Sequence, residues 1–260
     1  MAKEKVNVIC IKWGTKYYHK DVNNLYRMVK RNTSFDINFY CFTDNKKGLL
    51  KDITAKPLPK MNMKKEDCKY VYQKEAGLCD DNLGGLKGQR VLFLDLDTLI
   101  VDNIDEFFTL PKDDEFYIIN DWHSKGNHIG QASCYSWRVG TLGYVKEYFE
   151  KNHKECIEKF YTASQAYLSS KVIERYGNLN FWPAKWCKSF RFHALPIGIL
   201  RGLITPKIPA EAKVLAFHGD PKIEDAIIGV WGGSGKQSAK WKKLIYKKLR
   251  PTPWIKDYWQ

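Results

Sequence analysis

The stretch Arg90-Val91-Leu92-Phe93-Leu94-Asp95-Leu96-Asp97-Thr98-Leu99-Ile100-Val101 decides how the chain is read. Val91–Leu94 is a continuous apolar run of strand length, which predicts a buried strand. It ends in two carboxylates separated by one residue. Side chains two apart on an extended backbone point the same way, so Asp95 and Asp97 can converge on one cation. Buried carboxylates are costly unless paired or bound to metal. A divalent ion with hard oxygen ligands resolves that cost, and such ions commonly carry phosphates. An Asp-x-Asp arises by chance about once in a chain of this size, so its place matters. Open α/β sheets bind ligands at the carboxyl ends of their strands. Two other readings stand beside the metal–diphosphate site. One is a polar strand end with both aspartates in water. The other is the phosphatase motif Asp-x-Asp-x-Thr, with a nucleophilic first aspartate; here Thr98 comes one place too early.

The flanking sequence supplies the sheet. Val6–Ile11 reads as a buried first strand and Trp13-Gly14-Thr15 as a turn. Val22, Leu25, Met28 and Val29 recur at helical spacing, which predicts an amphipathic helix from about Tyr18 to Arg31. Asn38–Phe42 is a second strand, so the chain opens as βαβ and implies a parallel sheet covered by helices. Val71, Ala76, Leu78 and Leu83 suggest a helix before the central strand. Further strands are expected at Glu115–Ile119, Ser133–Trp137 and Val214–Phe217, with helices at Ile104–Phe108, Leu142–Cys156 and Ala163–Tyr176. The fold class is α/β. With no internal Pro/Gly/Ser linker, one domain over 1–235 is expected, and Gly232-Gly233-Ser234-Gly235 reads as a loop before a tail, 236–260.

Composition narrows the function classes. No run of about 18 apolar residues exists to span a membrane, and Met1–Lys5 lacks the apolar core of a signal peptide. The seven cysteines have no paired metal-binding spacing, so buried thiols in a reducing cytosol are expected. The net charge of +14 calls for an anionic partner. Half of that charge lies from Lys236 onward, where eight basic residues face one acid among Trp241, Tyr246, Trp254, Tyr258 and Trp259. Basic residues and interfacial aromatics together suit an anionic membrane surface; a solvated basic helix is the plainer reading.

Phe217-His218-Gly219-Asp220-Pro221-Lys222 adds what the aspartates lack. His218 offers an imidazole ligand, Gly219 permits close backbone approach, and Lys222 supplies a point charge for phosphate. Carboxylate, imidazole and phosphate together suit manganese. A structural histidine at a strand end is the alternative for His218. Asp121, in Asn120-Asp121-Trp122, is either a general base or sugar-hydroxyl contact, or a surface turn aspartate.

Taken together these segments resemble the GT-A glycosyltransferases, nearest to the retaining glycogenin and bacterial lipopolysaccharide galactosyl- and glucosyltransferase type. The resemblance runs from Val6 to about Asp225 and rests on the βαβ opening, Asp95-Leu96-Asp97 and His218-Gly219-x-Pro221-Lys222. It implies a single Rossmann-like domain with a mixed, mainly parallel sheet. It implies Mn2+ or Mg2+ held by Asp95, Asp97 and His218, with Lys222 on the donor diphosphate. It places Trp13, Gly14, Thr15 and Tyr17 at the nucleotide base and Lys74 near the donor phosphates. The family's Asn-Ala-Gly segment, which lines the donor sugar, stands here as Gln131-Ala132-Ser133. Its Asp-Gln pair stands as Ser164-Gln165, leaving Gln165 near the reacting centre without its neighbouring carboxylate. The donor sugar, the acceptor and the stereochemical course are left open.

The expected activity is transfer of a sugar from a nucleotide diphosphate sugar, a UDP-sugar, to a glycan or lipid-linked glycan, as in lipopolysaccharide or capsule assembly. The expected location is the cytoplasm, peripheral to the membrane through the basic tail. The rivals are a non-enzymatic nucleic-acid-binding protein, which leaves Asp95, Asp97 and His218 unexplained, and a phosphate-ester hydrolase using the two aspartates.

Overall fold

A computed structural model of the chain describes residues 5–64, 72–123, 126, 128–161, 163–231 and 248–260. By its internal contacts the chain divides into two compact units. The first gathers Met1–Asn23, Ser34–Leu96 and Asp105–Trp182, and the second gathers Asn24–Thr33, Asp97–Ile104 and Pro183–Gln260.

The first unit is built on a seven-stranded sheet. Strands are numbered in chain order: β1 (Lys5–Lys12), β2 (Asp36–Thr43), β3 (Ile53–Lys56), β4 (Arg90–Leu94), β6 (Tyr117–Asn120), β7 (Gly130–Arg138) and β8 (Asn180–Phe181). Their order is β3-β2-β1-β4-β7-β6-β8. Only β7 runs against the others, pairing antiparallel with both β4 and β6. The sheet is therefore mixed and mainly parallel, as expected. The run Val91–Leu94 is buried on both faces, which is why its sequence does not alternate.

Aromatic packing fixes the register at the centre. Phe93 on β4 lies directly across from Tyr135 on β7, with ring centroids 4.7 Å apart, and Tyr135 stacks on Trp137 at 5.0 Å. Cross-strand aromatic pairs of this kind add to sheet stability beyond their buried area. Helix α1 (His19–Arg31) buries Val22, Leu25, Met28 and Val29, the stripe its spacing predicts.

The helix expected from Val71 to Leu83 is shorter than its apolar spacing suggests. Val71 lies outside the described residues. Helix α2 covers only Tyr72–Glu75, and single 3-10 turns stand at Gly77–Cys79 and Leu83–Gly85. The Asp80 side chain accepts from the backbone N–H groups of Asn82 and Leu83, offering the chain a turn in place of a helix. The helix expected at Ile104–Phe108 is a single turn, α3 (Glu106–Thr109). Helices α4 (Gly143–Phe160) and α5 (Ser164–Tyr176) pack together. Short strands β3 and β8 carry too little pattern to be read from the sequence.

The second unit carries a three-stranded sheet of β5 (Thr98–Ile100), β10 (Val214–Ala216) and β9 (Cys187–Ser189), in the order β5-β10-β9. Phe190 and Phe217, which follow β9 and β10, stack at 4.4 Å. The described residues of this unit include the short helices α6 (Ile223–Ile228) and α7 (Ile255–Tyr258). The described end of the basic tail is packed structure: Leu249, Thr252 and Ile255 are buried, and the Trp254 indole donates to the Pro206 carbonyl. Arg31 donates to the carbonyls of Tyr258 and Gln260. Residues 236–247 of that tail and the loop Gly232–Gly235 lie outside the described residues. No helix among the described residues is long and apolar enough to cross a membrane.

Candidate functional site

The boundary between the units falls inside the Asp-Leu-Asp motif, so Asp95 belongs to the first unit and Asp97 to the second.

In the first unit, strand direction gathers the expected residues at one edge. β1, β2, β4 and β6 run the same way, so their carboxyl ends share that edge with the amino end of β7. Trp13, Gly14, Thr15 and Tyr17 come after β1, Asp95 after β4 and Asp121 after β6, and Gln131, Ala132 and Ser133 open β7. Gly14 sits at φ +62, a conformation suited to glycine, and its N–H donates to the Asp44 carboxylate at 2.9 Å. Lys12 approaches the same carboxylate at 3.9 Å. Asp44, just past the end of β2, is not among the residues the sequence singles out.

The ladder between β6 and β7 slips at Ile118/Ile119, where the partner passes from Tyr135 to Gln131. Irregularities of this kind re-aim side chains near functional sites. Here a compact polar network results. Asp95 N–H donates to the Ser133 carbonyl at 2.9 Å, the Gln131 amide donates to the Ser133 hydroxyl at 2.8 Å, and the Ala132 N–H donates to the Gln165 side-chain carbonyl at 3.4 Å. Gln165 thus meets the Gln131–Ser133 segment. Asp121 is buried rather than a surface turn residue; its carboxylate accepts from the His123 N–H at 3.2 Å.

Lys74 reaches from α2 to this edge. Its ammonium is 2.8 Å from the Asp95 carboxylate and 3.3 Å from that of Glu75, and it lies 5.6 Å above the Phe93 ring. Glu75 is also not among the residues the sequence singles out. It is 3% exposed, and its Oε2 has no hydrogen-bond partner among the described residues. Burial pushes its carboxyl up, opposed by the Lys74 charge and a Ser164 hydrogen bond, while Asp95 pushes it further up. Ser164 stands beside Gln165 at the start of α5, so Glu75 meets that helix end from α2.

In the second unit, register assembles the rest. β5 and β10 are antiparallel, with Thr98 opposite Ala216. The residue before β5 therefore meets the residue after β10: the Phe217 N–H donates to the Asp97 carbonyl at 2.9 Å. The turn after Phe217 holds His218, Gly219 at φ +77, and Lys222. Lys222 places its ammonium 4.0 Å from the Asp97 carboxylate. His218 Nε2 lies 2.8 Å from the Ser189 hydroxyl, and its ring stacks on Phe192. Ser189 is fully buried on β9. Its hydroxyl holds one ring nitrogen of the imidazole, and no local motif marks it in the sequence.

Among the described residues no three His, Cys, Asp or Glu side chains are gathered so as to hold a metal ion. The donor chemistry fits a divalent cation, since Asp95, Asp97 and His218 offer two carboxylates and an imidazole. In the structure each of these donors meets a protein group: Lys74, Lys222 and Ser189 respectively.

Many solved structures match this architecture, among them two of LgtC. One is galactosyltransferase LgtC in complex with donor and acceptor sugar analogs, at TM-score 0.54 and 11% identity, covering 84% of this chain and 89% of that one. The other is an active-site mutant of LgtC, at TM-score 0.54 and 12% identity, with the same coverage. The chain has the GT-A fold. By sequence, no family model and no curated relative matches it.

Proposed function

We propose that this GT-A protein is a metal-dependent glycosyltransferase. It moves a sugar from a nucleotide diphosphate sugar, a UDP-sugar, to a glycan or lipid-linked glycan. The observation that carries this reading is the pairing of β5 with β10, which sets Lys222 beside Asp97 at the strand end bearing His218. A cation, a carboxylate and an imidazole brought together there suit a bound diphosphate and its counter-ion.

Asp95, Asp97 and His218 would hold Mn2+ or Mg2+, which when bound supplies a Lewis acid for the leaving diphosphate. Lys222 contributes a fixed positive charge where negative charge develops on departure. Lys74 contributes a second such charge from α2. Trp13, Gly14, Thr15 and Tyr17 take the base, and Gln131, Ala132 and Ser133 line the sugar. Gln165, braced on the Ala132 N–H, steers the anomeric centre. Asp121 receives a sugar hydroxyl or the acceptor proton. Holding acceptor and donor together is the larger part of the rate gain.

The test is a thermal-shift panel of nucleotide sugars with and without manganese. A donor at a hundredfold excess over its Kd stabilises by about 2.7 kcal/mol, so one UDP-sugar is expected to raise the Tm only when manganese is present. No shift with any nucleotide sugar would overturn the reading.

The acceptor is placed at a cytoplasmic lipid surface reached through the basic tail. Lys248, Arg250 and Lys256 are exposed, and the six described cysteines are buried thiols outside any disulfide, in keeping with a reducing compartment. Co-sedimentation with anionic and neutral vesicles at low and high salt checks this. Binding to anionic vesicles that weakens with salt is expected; indifference to them at low salt would remove the membrane from the proposal.

A further inference from the structure

We infer that Lys74 is a placeholder cation. It occupies the Asp95 carboxylate until a divalent ion takes it, and then serves the diphosphate, while Glu75 holds the ammonium at the site throughout. This rests on the metal–diphosphate reading above and adds to it a competition between the lysine and the metal.

Two observations carry it, both within the first unit. The Lys74 ammonium lies between two carboxylates, 2.8 Å from Asp95 and 3.3 Å from Glu75. A lysine at hydrogen-bonding distance from a carboxylate occupies the oxygen that a metal would use, and its charge repels a second cation. Glu75 is almost wholly buried, with one carboxylate oxygen lacking a hydrogen-bond partner among the described residues. An ion pair chosen only for stability would satisfy that oxygen. A carboxylate left partly unsatisfied next to a flexible ammonium retains room to take more of it.

Charge balance gives the direction of exchange. With both carboxyls ionised, Asp95, Glu75 and Lys74 together carry one net negative charge. A divalent ion at Asp95 turns that to net positive, which favours an incoming anionic diphosphate. Lysine suits the exchange because its charge sits on a flexible four-carbon stem with three donors. Glu75 keeps the ammonium from leaving the site once Asp95 is taken. In this arrangement Glu75 is a positioning residue for Lys74.

The competition predicts opposite signs for two ligands, which a merely structural lysine would not produce. The probes are manganese chloride alone and inorganic pyrophosphate in saturating manganese, titrated into the full chain by calorimetry. Removing the placeholder with Lys74→Met is expected to tighten manganese binding about tenfold, equivalent to about 1.4 kcal/mol, and to weaken pyrophosphate binding by a similar factor. Lys74→Arg should restore both towards the parent values. Glu75→Gln should weaken manganese binding, because Lys74 then has Asp95 as its sole carboxylate of the pair. Manganese binding by Lys74→Met that is equal to or weaker than the parent's overturns the inference while leaving the metal reading intact. Manganese binding by Lys74→Met with none by the parent supports it. Absence of manganese binding in both proteins overturns the metal reading and the inference with it.

Discussion

Phe217 donates its backbone N–H to the carbonyl of Asp97 at 2.9 Å. These residues stand 120 positions apart in the chain, and the bond extends the β5–β10 ladder by one step past Thr98 and Ala216. Because it is a main-chain bond, it holds the strand ends together whatever side chain occupies either position. The Asp97 carboxylate, which takes no part in that bond, stands 4.0 Å from the Lys222 ammonium.

Asp97→Ala is therefore expected to leave the fold unchanged and to reduce donor turnover by about a hundredfold or more, the usual scale for losing one electrostatic stabiliser of a transition state. Turnover with the preferred donor and the circular dichroism spectrum are the two measurements. Turnover near the parent's value, with an intact spectrum, would remove Asp97 from the site.

Lys222 supplies charge and not shape, since its ammonium stands 4.0 Å from Asp97 and its side chain is 39% exposed. Lys222→Ala should weaken UDP binding about tenfold, in line with a charge-assisted hydrogen bond worth about 1.5 kcal/mol. Uridine binding should be unchanged. Calorimetric titration of both ligands gives the comparison, and equal losses would show that Lys222 does not meet phosphate.

Part of this arrangement is legible in the sequence, and the rest is hidden for identifiable reasons. Val91–Leu94 and the apolar stripe of α1 are readable because burial on two faces and on one face leave different periodicities. The Asp-Leu-Asp motif and the His218–Lys222 turn are readable because their residue types are costly to bury without a ligand. The β5–β10 pairing is not, since β5 has three residues and its register is set by a partner far along the chain. Glu75 is hidden by its neighbours: beside Lys74 it looks like an ordinary helical charge pair, and only its burial and its meeting with Ser164 distinguish it. Ser189 and Asp44 act through hydrogen bonds to residues distant in sequence, which leave no local pattern.

Tyr135 gives a test of the core beneath the site. Its ring is fully buried between Phe93 and Trp137, and its hydroxyl has no hydrogen-bond partner among the described residues. An unsatisfied buried hydroxyl costs about 1–3 kcal/mol. Tyr135→Phe keeps the ring and removes the hydroxyl, so it should raise stability by about 1 kcal/mol. Urea denaturation checks this, and a loss of stability would show that the hydroxyl is partnered.

Glu75 ties the site to pH. Burial raises its carboxyl from the ordinary value of 4.5, against the opposing Lys74 charge and Ser164 hydrogen bond. The folded chain therefore holds this proton to a higher pH than the unfolded chain does. For a group raised on folding, the stabilising contribution is fully present below the unfolded value and is lost as pH climbs through the folded one. The parent protein should accordingly lose stability relative to Glu75→Gln as pH rises from about 4.5, with the difference levelling off once the folded carboxyl has ionised. The comparison is urea denaturation of the two proteins from about pH 4 to about pH 8. Titrating groups that do not interact with Glu75 act on both proteins alike, so the difference reports Glu75 together with its neighbours Lys74 and Asp95. A difference that does not change with pH would show that Glu75 ionises as it does in water, with Lys74 and Ser164 offsetting its burial in full.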